Sequence, residues 1–266
     1  MALETGLRGR KALITGAGSG IGKAIAAALA AEGVDLVIAD IRDRPDVIAE
    51  LRKTGVRVHF IRADVSQEDD VVRMVAEAAA ALGGLDLYVN DAAGTWHEPL
   101  TKVTRAGFEK TMATNVAASV FASREVARIF IPQRRGSILA VCSTATVSAQ
   151  PRETAYRASK AALKAHIEVA AVELAPFGIR VNLLTPGGTN TPFVGVALTE
   201  QRDRARCEIP LRREAEPEEL APAAVFLLSD RLASYITGAE LIVDGGLRLR
   251  PFFSGSDAEL AALNQP

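Results

Sequence analysis

Seven short runs rich in Val, Ile and Leu alternate with longer Ala-rich helical patterns along this chain, and that alternation leaves few folds open. The runs are KALIT (11–15), VDLVIAD (34–40), VRVHFI (56–61), LDLYV (85–89), SILAVC (137–142), IRVNLL (179–184) and ELIV (240–243). Helical periodicity fills the intervals near 20–32, 67–82, 106–131, 154–176 and 217–229. Runs that are apolar on both faces and separated by helices predict a parallel sheet covered on both sides, the doubly wound α/β class. Seven strands complete one sheet, and no linker or fixed-period repeat divides the 266 residues, so a single domain over 1–266 is expected.

Thr15-Gly16-Ala17-Gly18-Ser19-Gly20-Ile21-Gly22 follows the first run and opens a helix. Glycines let the chain turn sharply and let a phosphate approach the backbone, while the helix N-terminus offers free N–H groups and partial positive charge. The spacing is TGxxxGxG rather than GxGxxG, and a purely structural turn would use the same residues. Asp40 ends the second run eighteen residues past Gly22, where an acid can accept both ribose hydroxyls of an adenosine and would repel a 2′-phosphate. NAD is therefore favoured over NADP, although Arg42 leaves room for the phosphate and Asp40 could equally be a surface or capping residue.

Tyr156 and Lys160 stand four apart at the start of a helical pattern, which puts phenol and ammonium on one helical face. A phenol is a poor base at neutral pH, and a neighbouring cation favours its phenolate, making it usable in acid–base catalysis. Ser143 ends the fifth run, at the strand edge where open α/β sheets hold ligands. A solvated Tyr–Lys pair is the plain alternative when the two are taken alone.

Together these residues resemble the short-chain dehydrogenase/reductase family over nearly the full length. The resemblance rests on TGAGSGIG, Asp64-Val65, Asn90-Asp91-Ala92-Ala93-Gly94, Asn115, Ser143, Tyr156 with Lys160, Pro186-Gly187 and Val243-Asp244-Gly245-Gly246, in that order. It implies a Rossmann-type fold, with hydride transfer between nicotinamide and a secondary alcohol or ketone. Tyr156 would exchange the proton, Ser143 would polarise the substrate oxygen, Lys160 would assist the tyrosine and bind the nicotinamide ribose, and Asn115 would support a proton-relaying water. The implied cofactor set is Gly16, Ser19, Gly20, Ile21, Gly22, Asp40, Ile41, Asp64, Val65, Asn90, Ala92, Tyr156, Lys160, Pro186, Gly187, Thr189 and Thr191. No metal is expected, since His59, His97 and His166 lack ligand spacing and read as surface or packing residues. Relatives assemble through the helices that carry Asn115 and Tyr156, so a homotetramer is expected, with Ala155, Ala158, Ala161 and Ala162 suited to close helix approach.

Two departures stand out. The family's Asn-Asn-Ala-Gly is here Asn90-Asp91-Ala92-Ala93, so the second amide has become a carboxyl. Gly188-Thr189-Asn190-Thr191 replaces the usual aliphatic residue after Pro186-Gly187. The charge-dense segment 188–216 is either an active-site lid or a solvated excursion, and the 247–266 tail either packs on a neighbour or frays. Thr95, Trp96, His97, Ala145, Arg152 and Phe193 are candidates for setting substrate choice among cyclic diols, sugars and hydroxyacyl compounds.

Charge and composition narrow the partners. Lys and Arg total 31 against 32 Asp and Glu, a net charge of −1, which argues against nucleic acid or an anionic membrane as partner. The longest uncharged stretch, 181–199, is broken by prolines and glycines and reads as a loop rather than a membrane helix. Cys142 and Cys207 form no CxxC pair, and the N-terminal residues lack an apolar signal core, so a cytoplasmic enzyme acting on a small alcohol or ketone is expected. An NADPH-dependent 3-oxoacyl-acyl-carrier-protein reductase is the competing enzyme; enoyl reductases of the related kind separate Tyr and Lys by six residues rather than three. A non-catalytic dinucleotide sensor or scaffold is the competing class, and it would have no need of the proton-handling set.

Overall fold

A computed structural model describes residues 4–192 and 208–249. Seven strands form one sheet, β1 (Lys11–Thr15), β2 (Asp35–Asp40), β3 (Val58–Arg62), β4 (Leu87–Asn90), β5 (Gly136–Val141), β6 (Ile179–Pro186) and β7 (Glu240–Val243). Their order is β3-β2-β1-β4-β5-β6-β7, and every neighbouring pair is parallel. β4, β5 and β6 are buried at every position, which only a sheet covered on both faces permits, whereas the edge strand β3 buries only Val58 and Ile61.

Among the described residues the helices are α1 (Gly20–Ala31), α2 (Pro45–Arg52), α3 (Glu68–Leu82), α4 (Arg105–Met112), α5 (Ala118–Gln133), α6 (Thr154–Leu174) and α7 (Ala221–Leu228). Alternate residues of each strand feed two core layers. Leu13, Tyr88 and Ile138 pack under α3, α5 and α6 with Met74, Val126, Phe130, Leu163 and Ile167. Ala12, Ile14, Val89 and Leu139 pack under α1, α2 and α7 with Ile25, Leu29, Val47, Leu51 and Leu227. Among the described residues no helix is long and apolar enough to cross a membrane.

The differences from the sequence reading have local causes. α2 is not visible as a helical pattern because it buries only Val47 and Leu51; Pro45 in its first turn sets the entry. The expected helix over 106–131 is α4 and α5 joined by a π-turn, Ala113–Ala117, which carries Asn115. The expected helix at 217–229 is a tight turn, Pro217–Glu219, followed by α7.

Candidate active site

The chain runs outward from β1 through β2 and β3, then returns to add β4 on β1's other side, so a crevice opens at the C-terminal ends of β1 and β4. The glycine turn lines it. Gly16 holds φ at +73° with its N–H on the Ala39 carbonyl at 2.8 Å, and a side chain there would put Cβ 2.7 Å from the Ala92 nitrogen. At Gly18 a Cβ would lie 2.5 Å from Asp40 Oδ2, and at Gly22 2.5 Å from Asp91 Oδ2. Neighbouring backbone and carboxyl groups thus press the turn into shape and leave its other side facing a cleft of about 670 Å³.

This cleft gathers Gly16, Ser19, Gly20, Ile21, Asp40, Ile41, Asp64, Val65, Ala92, Ser143, Tyr156, Lys160, Pro186, Gly187, Thr189 and Thr191, contributed by β-strand ends scattered through the chain. A glycine cradle at a helix N-terminus, with an acid at the end of β2, has the shape and chemistry to take a dinucleotide. Asp40 accepts from Gly18 N at 3.1 Å and from Arg42 N at 3.0 Å, which fixes its carboxylate toward the turn. Asp64 accepts from the Ser66 N–H and hydroxyl at 3.0 and 2.7 Å, with Lys110 Nζ at 3.5 Å. Partial burial acts to raise its pKa, and the Ser66 bonds and Lys110 outweigh that, holding it below the ordinary value.

Three expected residues lie behind the cleft wall. Gly22 is covered by Asp91. Asn90 is buried, its side chain accepting from the Tyr88 hydroxyl at 3.1 Å. Asn115 is buried too; it pairs with Gly94 through N–H to Oδ1 at 2.7 Å and Nδ2 to carbonyl at 2.8 Å, and Nδ2 also donates to Ser159 Oγ at 2.9 Å. Its side chain braces the loop after β4 against α6.

On the opposite wall, Ser143 follows β5, and its Oγ accepts from Ala145 N at 3.1 Å. That bond uses one lone pair and leaves the O–H able to donate toward the cleft. Lys160 is 3% exposed; its Nζ donates to the Val141 carbonyl at 2.8 Å and lies 5.7 Å from the Tyr156 ring centre. One buried cation therefore serves the phenol side of the cleft.

His97, expected both as a surface or packing residue and as a candidate for substrate choice, is exposed and lines the cleft, together with Ser148, Gln150 and Glu153, which the sequence does not single out. Burial raises the Glu153 carboxyl, with His97 and Arg157 pulling it back in part. Trp96 does not line the cleft; its indole packs where a Cβ on Gly107 would sit, 2.9 Å from Cδ1. Ala145 lines it and Arg152 does not. Phe193, Cys207 and most of the expected lid and tail fall outside the described residues, but the ends of the 188–216 segment are tied together by a parallel bridge between Thr189 and Ala215.

Two more groups line the cleft: Arg44, which nothing in the sequence singles out, and Asp91, the carboxyl that replaces the family's amide. Arg44 lies across Gly18, and its Nε is buried without a hydrogen-bond partner. Asp91 keeps part of its surface on the cleft but encloses its carboxyl. Burial pushes that carboxyl up, Lys160 and the Gly22 N–H oppose the rise, Asp40 adds to it, and the result is about 7.

Comparison with known proteins gives these features a family. A sequence-family profile described as Enoyl-(Acyl carrier protein) reductase matches residues 16–248. Glucose 1-dehydrogenase of Gluconobacter oxydans is 36% identical over 248 residues, 91% of this chain and 92% of that protein. A 2,5-dichloro-2,5-cyclohexadiene-1,4-diol dehydrogenase of Sphingobium indicum is 36% identical over 245 residues, 90% of this chain and 97% of its own length. Among solved structures, a short-chain type dehydrogenase/reductase from Mycobacterium marinum superposes with a TM-score of 0.88 at 32% identity, covering 92% of this chain and 97% of that one. The profile, the near-complete relatives and the shared sheet agree: the chain belongs to the short-chain dehydrogenase/reductase family of nicotinamide-dependent oxidoreductases acting on CH–OH groups.

Proposed function

We propose that this chain is an NAD(H)-preferring oxidoreductase that interconverts a secondary alcohol and its ketone, with Tyr156 exchanging the proton. The observation that carries the reading is the convergence of Ser143, Tyr156 and Lys160 on a cleft whose far wall is the glycine turn and Asp40. When bound, the nicotinamide supplies the hydride acceptor or donor. Gly16, Ser19, Gly20 and Ile21 would hold the pyrophosphate, with Thr189 and Thr191 toward its carboxamide end. Asp40 and Ile41 would meet the adenosine ribose, Asp64 and Val65 the adenine, and Ala92 the adjoining backbone. Ser143 donates its O–H to the substrate oxygen, and Tyr156 passes its proton to or from that same oxygen. Lys160 stabilises negative charge on the phenol. Asn115 acts by bracing Gly94 and Ser159, which keeps the loop and α6 in register around the relay; Asn90 and Gly22 hold the strand end and turn from behind.

The wall formed by His97, Ser148, Gln150 and Glu153 suits a small substrate carrying more than one hydroxyl, in keeping with the glucose and the diol named for two relatives. A second reading, the NADPH-dependent reduction of a 3-oxoacyl carrier substrate, draws support from the unpartnered Arg44 Nε beside Asp40, which could meet a 2′-phosphate. Initial rates with NADH and NADPH, and an NAD-coupled screen at alkaline pH over sugars, cyclic diols and 3-hydroxyacyl thioesters, separate the two. NADH preference and turnover of a polyol support the first reading; faster NADPH turnover of the thioester ketone overturns it. Absence of turnover across the panel, with NADH still bound, would favour the sensor class.

Assembly as a homotetramer is part of the proposal. Along α6, Ala158, Ala161, Ala165, Val169 and Val172 form an exposed stripe of small and apolar side chains, with Val172 75% exposed. Light scattering of the purified protein decides it, a monomeric mass being the contrary result.

A further inference from the structure

Asp91 stands where the family pattern has an amide, and its position makes the exchange consequential. It lies on the loop after β4 with Oδ2 2.5 Å from where a Cβ on Gly22 would be, and the Gly22 N–H bonds to it. Gly22 is the third residue of α1, a helix with no acid in its own first turn and no side-chain bond from its N-cap, Ser19. The carboxyl of Asp91 therefore reaches α1 from another element and sits at the helix end whose free N–H groups and partial positive charge suit a single anion. A pyrophosphate held by the glycine turn would draw on that same helix end.

The groups that face the carboxyl do not relieve the conflict. Lys160 of α6 lends its positive charge, but its ammonium is already committed to the Val141 carbonyl, and Arg44 lies beside Asp40 at Gly18. Asp40, at the end of β2, adds a second negative charge. β1 offers only the Thr15 hydroxyl, which accepts the Ala92 N–H at 3.3 Å. A third anion entering this enclosed cluster is accommodated at least cost if Asp91 is neutral.

We propose that Asp91 is the proton-linked determinant of dinucleotide binding in this chain: its carboxyl is protonated whenever a pyrophosphate occupies the N-terminus of α1, so that binding takes up a proton. The inference rests on the dinucleotide reading of the cleft and goes beyond it by assigning the proton to one residue. The enclosed carboxyl, titrating near 7 in the free protein, puts the transition in the working pH range.

The test is NADH binding by fluorescence from pH 6 to pH 9, paired with calorimetry in two buffers of different ionisation enthalpy. Binding by the protonated form alone weakens the wild-type Kd about tenfold between pH 6 and pH 8, with uptake approaching one proton at the upper end. Asp91→Asn, which keeps the shape and cannot ionise, flattens the profile, binds about tenfold tighter than wild type at pH 8 and takes up no proton at this site. A wild-type Kd that is independent of pH with no proton uptake overturns the proposal while leaving dinucleotide binding intact. An unchanged pH dependence in Asp91→Asn overturns it as well, by assigning the proton elsewhere. If Asp91→Asn does not fold, wild-type calorimetry still decides, because uptake must rise through a midpoint near pH 7. NADH failing to bind at every pH would refute the dinucleotide reading itself.

Discussion

Gly16→Ala tests the close approach on which the cofactor cradle depends, because the chain contains a natural control. Gly16 and Gly9 share a left-handed backbone, φ +73° and +76°, but a Cβ at Gly16 would meet the Ala92 nitrogen at 2.7 Å and Cα at 2.9 Å, whereas nothing lies within 4 Å of one at Gly9. Both alanine variants incur the left-handed penalty of roughly 1–2 kcal/mol. Restricting the unfolded chain returns about 0.4–1 kcal/mol in both. Gly9→Ala should therefore cost about 0–1.6 kcal/mol. At Gly16 the obstruction is backbone, which cannot rotate aside, and overpacking adds about 1–3 kcal/mol. Gly16→Ala should melt lower than Gly9→Ala by roughly 2–6 °C, at about 2 °C per kcal/mol for a chain of this size. Urea unfolding with unchanged m-values gives the two stabilities, and NADH fluorescence reads the displaced Ala92 as weaker binding in Gly16→Ala alone. Equal destabilisation of the two variants, or unaltered NADH affinity in Gly16→Ala, would refute the reasoning.

Other consequences are equally direct. Tyr156→Phe should lower kcat by about 10²–10⁴ while NADH affinity stays near wild type; a fully active variant would remove Tyr156 from proton transfer. Asn115→Ala deletes three hydrogen bonds between the β4 loop and α6 and should destabilise by about 3 kcal/mol in urea unfolding; a neutral effect would mean that this bracing does not matter. Asp91→Asn should gain stability over wild type as pH rises, because a carboxyl raised from 3.8 to about 7 favours the folded state below pH 3.8 and loses that advantage between the two values. Denaturation at pH 4 and pH 8 should show a difference growing from near zero toward an upper bound on the order of 4 kcal/mol, and a variant less stable than wild type at pH 8 would contradict the burial argument.

Much of the scaffold was legible in the chain, and the reasons are local. A parallel strand buried on both faces, such as SILAVC, reads as an unbroken apolar run, and the expected strand and the observed β5 differ by one residue at each end. The helix ahead of β3 was missed because two buried residues in eight leave no stripe to detect. The π-turn at Asn115 resembles in composition the helices it joins, and only its backbone bonding, Ala118 N–H to the Ala113 carbonyl, sets it apart. The Tyr156–Lys160 spacing pointed to one face of a helix, but the Lys160 bond to Val141 depends on a strand nineteen residues away.

His97 and Trp96 show where local reading ends. Neighbours in sequence, they were both weighed as substrate residues, yet the imidazole faces the cleft beside Glu153 while the indole covers Gly107. The alternation of apolar runs and helices, the glycine turn and the order of the reactive residues were determined by the chain alone, since periodicity and spacing are properties of neighbouring residues. Which of those residues meet was decided by the tertiary structure. The Asp91 carboxyl is enclosed against Gly22, within reach of Lys160 and Asp40, only after β1, β2, β4 and α6 have assembled. Desolvation and charge coupling act through space over a few ångströms, and the residues that supply them lie tens of positions apart in the sequence.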